Sequence, residues 1–271
     1  MVRKILPKYR KPPVVEVVCC VYFQDLVGLH APHLGTLWDA VRSKYKRTQS
    51  VPAAPPIAAE GVGISPISLS IQVEPEHLGR TWFMSTDDVS LIQVQRDRLV
   101  FNWRKRNDKI SYPSYDVVIK EFKDIFRKFI KFVKSENIGT PSITGLELSY
   151  VNVLEFGREI GSIRELDTVF PFINYRSIRN DIFHSLENIH CFSQFDLGDD
   201  RGHLSMRLNT GQRRADGDPV LRLDFTARKI AVDIPTRALW PWFDLAHKAI
   251  VTGFSDLTSP DIQRNVWERT Q

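Results

Sequence analysis

The chain predicts an α+β fold: tandem β-α-β(3-4)-α units forming a mostly antiparallel, helix-backed sheet. Three observations lead there. Short runs rich in β-branched and aromatic residues alternate with a few apolar stripes at helical spacing. The order β-α-β-β-β(β)-α occurs twice along the sequence. Several residues also line up between the two rounds, which points to a duplicated unit spanning 1–140, with a basic N-terminal arm, and a second spanning 141–271.

In the first round, Pro12-Pro13 punctuates the start and "VVEVVCCVYF" (14–23) reads as a strand. "HLGTLWDAVRSKY" (33–45) places Leu34, Leu37, Trp38 and Val41 at helical spacing. The Pro/Ala stretch at 50–61 cannot continue that helix and reads as a loop. Strands are expected at 67–74 and 81–86, then the hairpin "LIQVQRDRLVFNWRK" (91–105). A long helix follows over 114–137, with Val118, Phe122, Ile125, Phe126, Phe129 and Val133 on one stripe and Ser114 as its N-cap.

The second round opens with a strand at 146–156 and a short helix over 163–173 that stops near Pro171. Strands are expected at 188–198, 203–210 and 219–232, with "ADGD" as the turn before the last. The final helix carries Leu239, Phe243, Ala246, Ile250, Phe254 and Leu257 on one face. Asn102 sits over Asp224, 122 positions on, Glu16 over Glu147, and Phe129 over Phe254. Tandem units of this kind resemble the TATA-binding-protein-like and helix-grip folds in shape, which licenses no activity.

The hairpin separates two sets of side chains. Ile92, Val94, Leu99, Phe101 and Trp103 share the side expected beneath the helices. Gln93, Gln95, Val100, Asn102 and Arg104 share the other, where amides and a guanidinium fork could hold a partner. Glu16 and Glu147 lie among apolar residues in the first strand of each round, where a carboxylate is costly unless paired or exposed. Arg104 or Arg80 could satisfy them. The candidate partner-binding set is therefore Glu16, Arg80, Gln93, Gln95, Asn102, Arg104 and Glu147.

Catalytic and metal chemistry finds little support in the sequence. His30 and His33 have H-x-x-H spacing, but Pro32 disfavours a helix there and no third ligand is near. His184 and His190 lack Cys or Asp partners at ligand spacing, and His247 reads as a half-buried histidine beside an apolar stripe. Asp196, Asp199, Asp200 and His203 cluster with glycines between strands, which is turn chemistry. No phosphate loop, dinucleotide fingerprint, nucleophile elbow or C-x-x-C is present. No cofactor and no catalytic residue is expected, and whether the chain is an enzyme stays open.

Composition sets the remaining bounds. With 42% hydrophobic and 25% charged residues over 271 positions, the chain matches ordinary soluble proteins and can bury a core in one domain or two. The net charge of +5, with basic groups at Arg3, Lys4, Lys8, Arg10 and Lys11, at Arg42, Lys44, Lys46 and Arg47, and at Arg104, Lys105 and Arg106, admits an acidic partner such as nucleic acid. Cys19, Cys20 and Cys191 make no disulfide framework; the first two should point to opposite sheet faces as small hydrophobes. The basic start lacks the apolar run of a secretory leader, and Val14 to Phe23 is too short to span a bilayer, so a cytoplasmic location without membrane contact is expected.

Taken together, "PPVVEV", "TWFMS", "LIQVQRDRLVFNWRK", "YPSYDVVIKEF", "LELSYVN" and "AHKAIVTGF" before Trp267 resemble a sporadically distributed family of bacterial proteins of unknown function. The likeness runs across nearly the whole chain and is most specific at the hairpin. It implies a bacterial cytosolic protein of patchy occurrence, found with accessory or defence genes, and carries over no activity, cofactor or catalytic residue. The leading expectation is a non-enzymatic binding or adaptor protein, docking a protein partner or another copy of itself through an open sheet face. Nucleic-acid binding is the alternative, and a metal-dependent hydrolase or nuclease using Asp199, Asp200 and His203 the third.

Overall fold

The structure is a computed structural model that describes residues 6–57, 78–175, 186–213 and 216–271. The strand expected at 67–74 and His184 lie outside the described residues. Among the described residues nine strands form one antiparallel sheet: β1 (Val14–Phe23), β2 (Arg47–Val51), β3 (Arg80–Met84), β4 (Ser90–Gln95), β5 (Arg98–Arg104), β6 (Ile143–Glu155), β7 (His190–Asp196), β8 (His203–Gln212) and β9 (Pro219–Ile230). Their spatial order is β2-β3-β4-β5-β1-β6-β9-β8-β7. The helices are α1 (Ala31–Asp39), α2 (Tyr115–Ser135), α3 (Leu239–Leu257) and α4 (Pro260–Asn265). The α+β class and the antiparallel sheet follow from these elements.

The first and sixth strands meet at the centre, with Val17 opposite Tyr150 and Cys19 opposite Leu148. Alternation then divides the side chains. Val17, Cys19, Val21, Leu99, Phe101, Leu146, Leu148, Phe225 and Ala227 are buried in the main core beneath α2 and α3. Cys20 and Tyr22 turn to the other face and pack with Val100 in a small second cluster. Cys19 and Cys20 thus occupy opposite faces as free, buried thiols.

The long helices interlock over this sheet. The Phe122 ring of α2 stands edge-on to Phe243 of α3 at 5.5 Å and to Trp240 at 6.0 Å, and stacks on Phe101 of β5 at 6.3 Å. Such pairs add to the large apolar area each ring removes from water. Trp267, past α4, is fully buried against Phe254 at 4.8 Å. The N-terminal arm is pinned there too: Arg10 and Lys11 donate their backbone N–H to the carbonyls of Glu268 and Trp267.

Several boundaries differ from the sequence reading for physical reasons. The first helix starts at Ala31, because Pro32 fits its first turn, and it ends at Asp39; turns beyond it bring the Tyr45 carbonyl to Trp38 Nε1 at 2.8 Å. The edge strand β2 was not expected; its last two residues fall in the stretch expected as a loop. Its first four side chains are exposed, so no alternation betrays it; only pairing to β3 defines it. The 163–173 helix is a 3-10 helix over Ile163–Thr168. Ser114 stands at the N-cap of α2 but makes no side-chain cap bond, and its φ of 106° with ψ of 160° lies in a region that normally requires glycine.

Because Phe122 joins both helices to the sheet, Phe122→Ala is expected to cost about 3–5 kcal/mol of unfolding free energy. Val117→Ala on the exposed side of α2 should stay within about 0.5 kcal/mol. Urea titration of both variants checks the contrast.

Candidate functional site

The face away from the helices is where the sequence placed a docking surface. In its first half the polar set is turned inward on itself. Trp82 Nε1 donates to Gln93 Oε1 at 3.0 Å, Gln93 Nε2 to Asn102 Oδ1 at 2.7 Å, and Asn102 Nδ2 to Glu16 Oε1 at 2.8 Å. This chain crosses β3, β4, β5 and β1, every link pointing the same way and ending on a carboxylate. Gln95 both accepts from the Ala54 N–H and donates to its carbonyl, at 2.8 and 3.1 Å, so its amide imitates a strand neighbour. Arg98 donates to the Pro55 carbonyl at 2.7 Å. Residues 52–57 therefore lie over this half.

That arrangement corrects the expectation of an outward, free Gln/Asn/Arg set. Gln93, Gln95 and Asn102 are only 8%, 9% and 5% exposed, because burial of a polar side chain is tolerable once its hydrogen bonds are made within the protein. Glu16 is satisfied by Asn102 rather than by Arg104 or Arg80. Arg104 reaches Asp88 at 2.7 Å, and Arg80 lies over the Trp82 ring at 5.6 Å. Glu147 takes Arg228 instead, at 2.7 and 2.8 Å, together with the Tyr22 hydroxyl at 3.1 Å. In the ladders Arg104 stands opposite Glu16 and Arg228 opposite Glu147.

The basic groups are largely paired as well. Asp88, in a left-handed turn at φ 61°, accepts Arg47, Arg104 and Arg106. Lys11 pairs with Glu268, Arg42 with Asp39, and Lys44 with Glu121. The acidic turn is likewise self-contained: Asp199 pairs with Arg201 and Asp200 with Lys229. His203 stands on β8 opposite Arg228. Among the described residues no cluster of His, Cys, Asp or Glu has the form of a metal site, and no helix is long and apolar enough to cross a membrane.

The second half of this face differs. Phe192 on β7 is 43% exposed with the Arg207 guanidinium 5.5 Å from its ring centre. Arg207 sits opposite Asp224, and Arg222 of β9 is exposed and paired to that carboxylate at 2.9 Å. Arginine and aromatic side chains are the types that dominate binding energy at protein interfaces.

A second site lies on the helix side, and only His247 of it was noticed in the sequence. A cavity of about 470 Å³ opens between α2, α3, the centre of the sheet and the N-terminal arm. Within it Tyr112 Oη and Tyr150 Oη are 2.8 Å apart, and Tyr150 Oη lies 3.0 Å from His247 Nδ1. Tyr115 stacks face to face on His247, with centroids 4.0 Å apart, and its hydroxyl donates to Asp244 at 2.8 Å. Burial raises the pKa of all three tyrosines above its ordinary value and lowers that of His247 to about 4. Near neutrality the three tyrosines and His247 are uncharged, suited to hydrogen bonding and poorly suited to proton abstraction.

No protein-family model matches the chain, and no curated protein is similar to it.

Two outcomes follow from this geometry. Asn102→Ala leaves the Gln93 amide and the Glu16 carboxylate each short of a partner, so unfolding free energy should fall by about 1–3 kcal/mol, measured by urea titration. For His247, the unfolded chain takes the proton near 6.5 and the folded chain near 4. The stabilising preference for neutral imidazole is present above 6.5 and is lost as pH falls through that window to 4. Denaturant midpoints of the wild type and His247→Phe at pH 7 and pH 4.5 should show the smaller acid loss in the variant.

Proposed function

We propose that the protein is a non-enzymatic binding or adaptor protein of a bacterial accessory or defence system, working in the cytoplasm. It docks a protein partner through the outer face of β6, β9, β8 and β7. The observation that carries this reading is the exposed Phe192–Arg207 pair beside Arg222. Four strands about 4.8 Å apart present a patch on the order of 500 Å². That is below the roughly 800 Å² per partner of a stable complex, so the contact is transient. Glu16, Gln93, Gln95, Asn102 and Glu147 support the patch by fixing strand register; Arg80 and Arg104 border it on the covered side.

The same reading includes descent from a duplicated β-α-β unit. In its favour, the sheet order runs outward from β1 and β6 to β5 and β9, each the last strand before a long helix. The Glu16–Arg104 and Glu147–Arg228 cross-strand positions match in the same sense. With the glutamates equated, Asn102 corresponds to Thr226, since Asn102 faces Val18 and Thr226 faces Ser149; the Asn102–Asp224 match is two residues out.

A photo-crosslinking side chain placed at Phe192 or Arg207 in the native host should yield one discrete protein adduct. The same group at Val117, exposed on α2, should not. Equal labelling from all three positions, or none from the sheet, would count against the docking face. An adduct of twice the chain mass would identify the partner as a second copy.

A further inference from the structure

The cavity between α2 and α3 lies on the opposite side of the sheet from the docking face and goes beyond the adaptor reading. Its volume of about 470 Å³ falls within the range of small-molecule sites, and a largely apolar lining with a few convergent polar groups is the usual composition of such sites. Ser114, whose backbone is held where glycine is normally needed, forms part of the wall. Strain of this kind persists only where the surroundings impose it, and it gathers at ligand sites.

The hydrogen bonds of the cluster fix what the wall offers. Tyr112 has Tyr150 as its hydroxyl partner, and Tyr150 has Tyr112 and His247 Nδ1. If Nδ1 carried the proton, Tyr150 would donate to Tyr112, and the Tyr112 O–H would have no acceptor among the described residues. With the chain running the other way, Tyr112 donates to Tyr150 and Tyr150 to Nδ1; one donor is still left over, but this direction pairs the stronger O–H donor with the more basic imidazole nitrogen and is favoured for that reason. Neutral His247 then carries its proton on Nε2. Among the described residues no group accepts from Nε2, so a donor is left for a ligand.

The other walls narrow the ligand further. Tyr115 and His247 form one stacked aromatic plane, and Tyr9, Phe225 and Phe254 supply further rings. A flat aromatic body gains most from such surfaces. Asp116 and Asp244 stand at the wall beside His247 and act on it electrostatically; they disfavour an anion, and the single cation among the lining residues, Lys8, is exposed. We propose that this cavity binds a small, uncharged, planar aromatic molecule that presents a carbonyl oxygen to His247 Nε2–H.

The test uses two molecules of the same outline, 2-naphthamide and 2-naphthoate, with calorimetry and the ring-proton NMR signals of His247 as readouts. The full-length wild type should bind the amide saturably, shift the His247 signals, and bind the carboxylate about tenfold more weakly or less. His247→Phe keeps a ring against Tyr115 but removes the donor, and should weaken the amide about tenfold, the loss of one hydrogen bond. Val251→Trp, at a half-buried lining position, should abolish binding while the protein still melts cooperatively. Absence of saturable amide binding to the wild type would overturn the proposal. So would equal affinity in both variants, and tighter binding of the carboxylate would replace the neutral ligand with an anion. None of these results bears on crosslinking at Phe192.

Discussion

The antiparallel ladder between β1 and β6 is the constraint from which the other features follow. A strand changes face at every residue, so the pairing of Val17 with Tyr150 and Cys19 with Leu148 assigns each neighbour a side. A slip of one residue in either strand would place Glu16 or Glu147 beneath the helices and turn Cys19 or Leu148 to the outer face. An unpaired carboxylate in an apolar core costs far more than a local rearrangement could offset. The register is therefore held by what the wrong register would bury.

The polar chain from Trp82 to Glu16 reinforces that choice. A buried amide network adds little net stability over apolar packing, since each group gives up water to make its bond. Its contribution is specificity. Trp82 can only donate and an ionised Glu16 only accept, so Gln93 and Asn102 between them must each point one way, and only the observed strand offsets satisfy both ends. Gln95, paired to both backbone groups of Ala54, extends the same logic to the Pro/Ala segment, which has too few side-chain groups to anchor itself.

Elements whose periodicity reports burial were legible in the sequence: β1, the β4–β5 hairpin, β6, β8, β9, α2 and α3 all lie within a few residues of their expected places. The stripe of α2 from Val118 to Val133 is the clearest, because every member is buried. β2 was missed because an edge strand is defined by backbone bonds, which leave no pattern in side chains. α4 escaped because six residues are too few for a period, although Ser259 caps it and Pro260 opens it. The outward parity of Gln93 and Asn102 was read correctly, but their burial goes with bonds to Trp82 on one side and to Glu16, far away in the sequence, on the other. A single sequence gives no hint of those contacts. The same holds for Tyr112, Tyr115, Tyr150 and His247, which come from a loop, two helices and a strand.

The two faces of the sheet end up with different chemistry because different things cover them. On the helix side the covering elements are long and apolar, so the inward polar groups there, Tyr112, Tyr150 and His247, are neutral and bonded to one another, while the charged Asp116, Asp244 and Lys8 keep to the exposed rim. On the outer side residues 52–57 lie over the first half, where the charges are tied to partners: Glu16 to Asn102, Arg98 to Asp97 and Pro55, and Arg104 to Asp88. The second half keeps exposed arginines because water still reaches them. β6 and β9 belong to both settings at once: Tyr150 and Phe225 face the cavity while Val151 and Asp224 face outward. A ligand among the tyrosines and a partner across Phe192 would therefore bear on opposite sides of one pair of strands. The polar chain and the Glu147–Arg228 pair hold those strands in a fixed register, so the two sites are positioned by the same ladder without sharing a side chain.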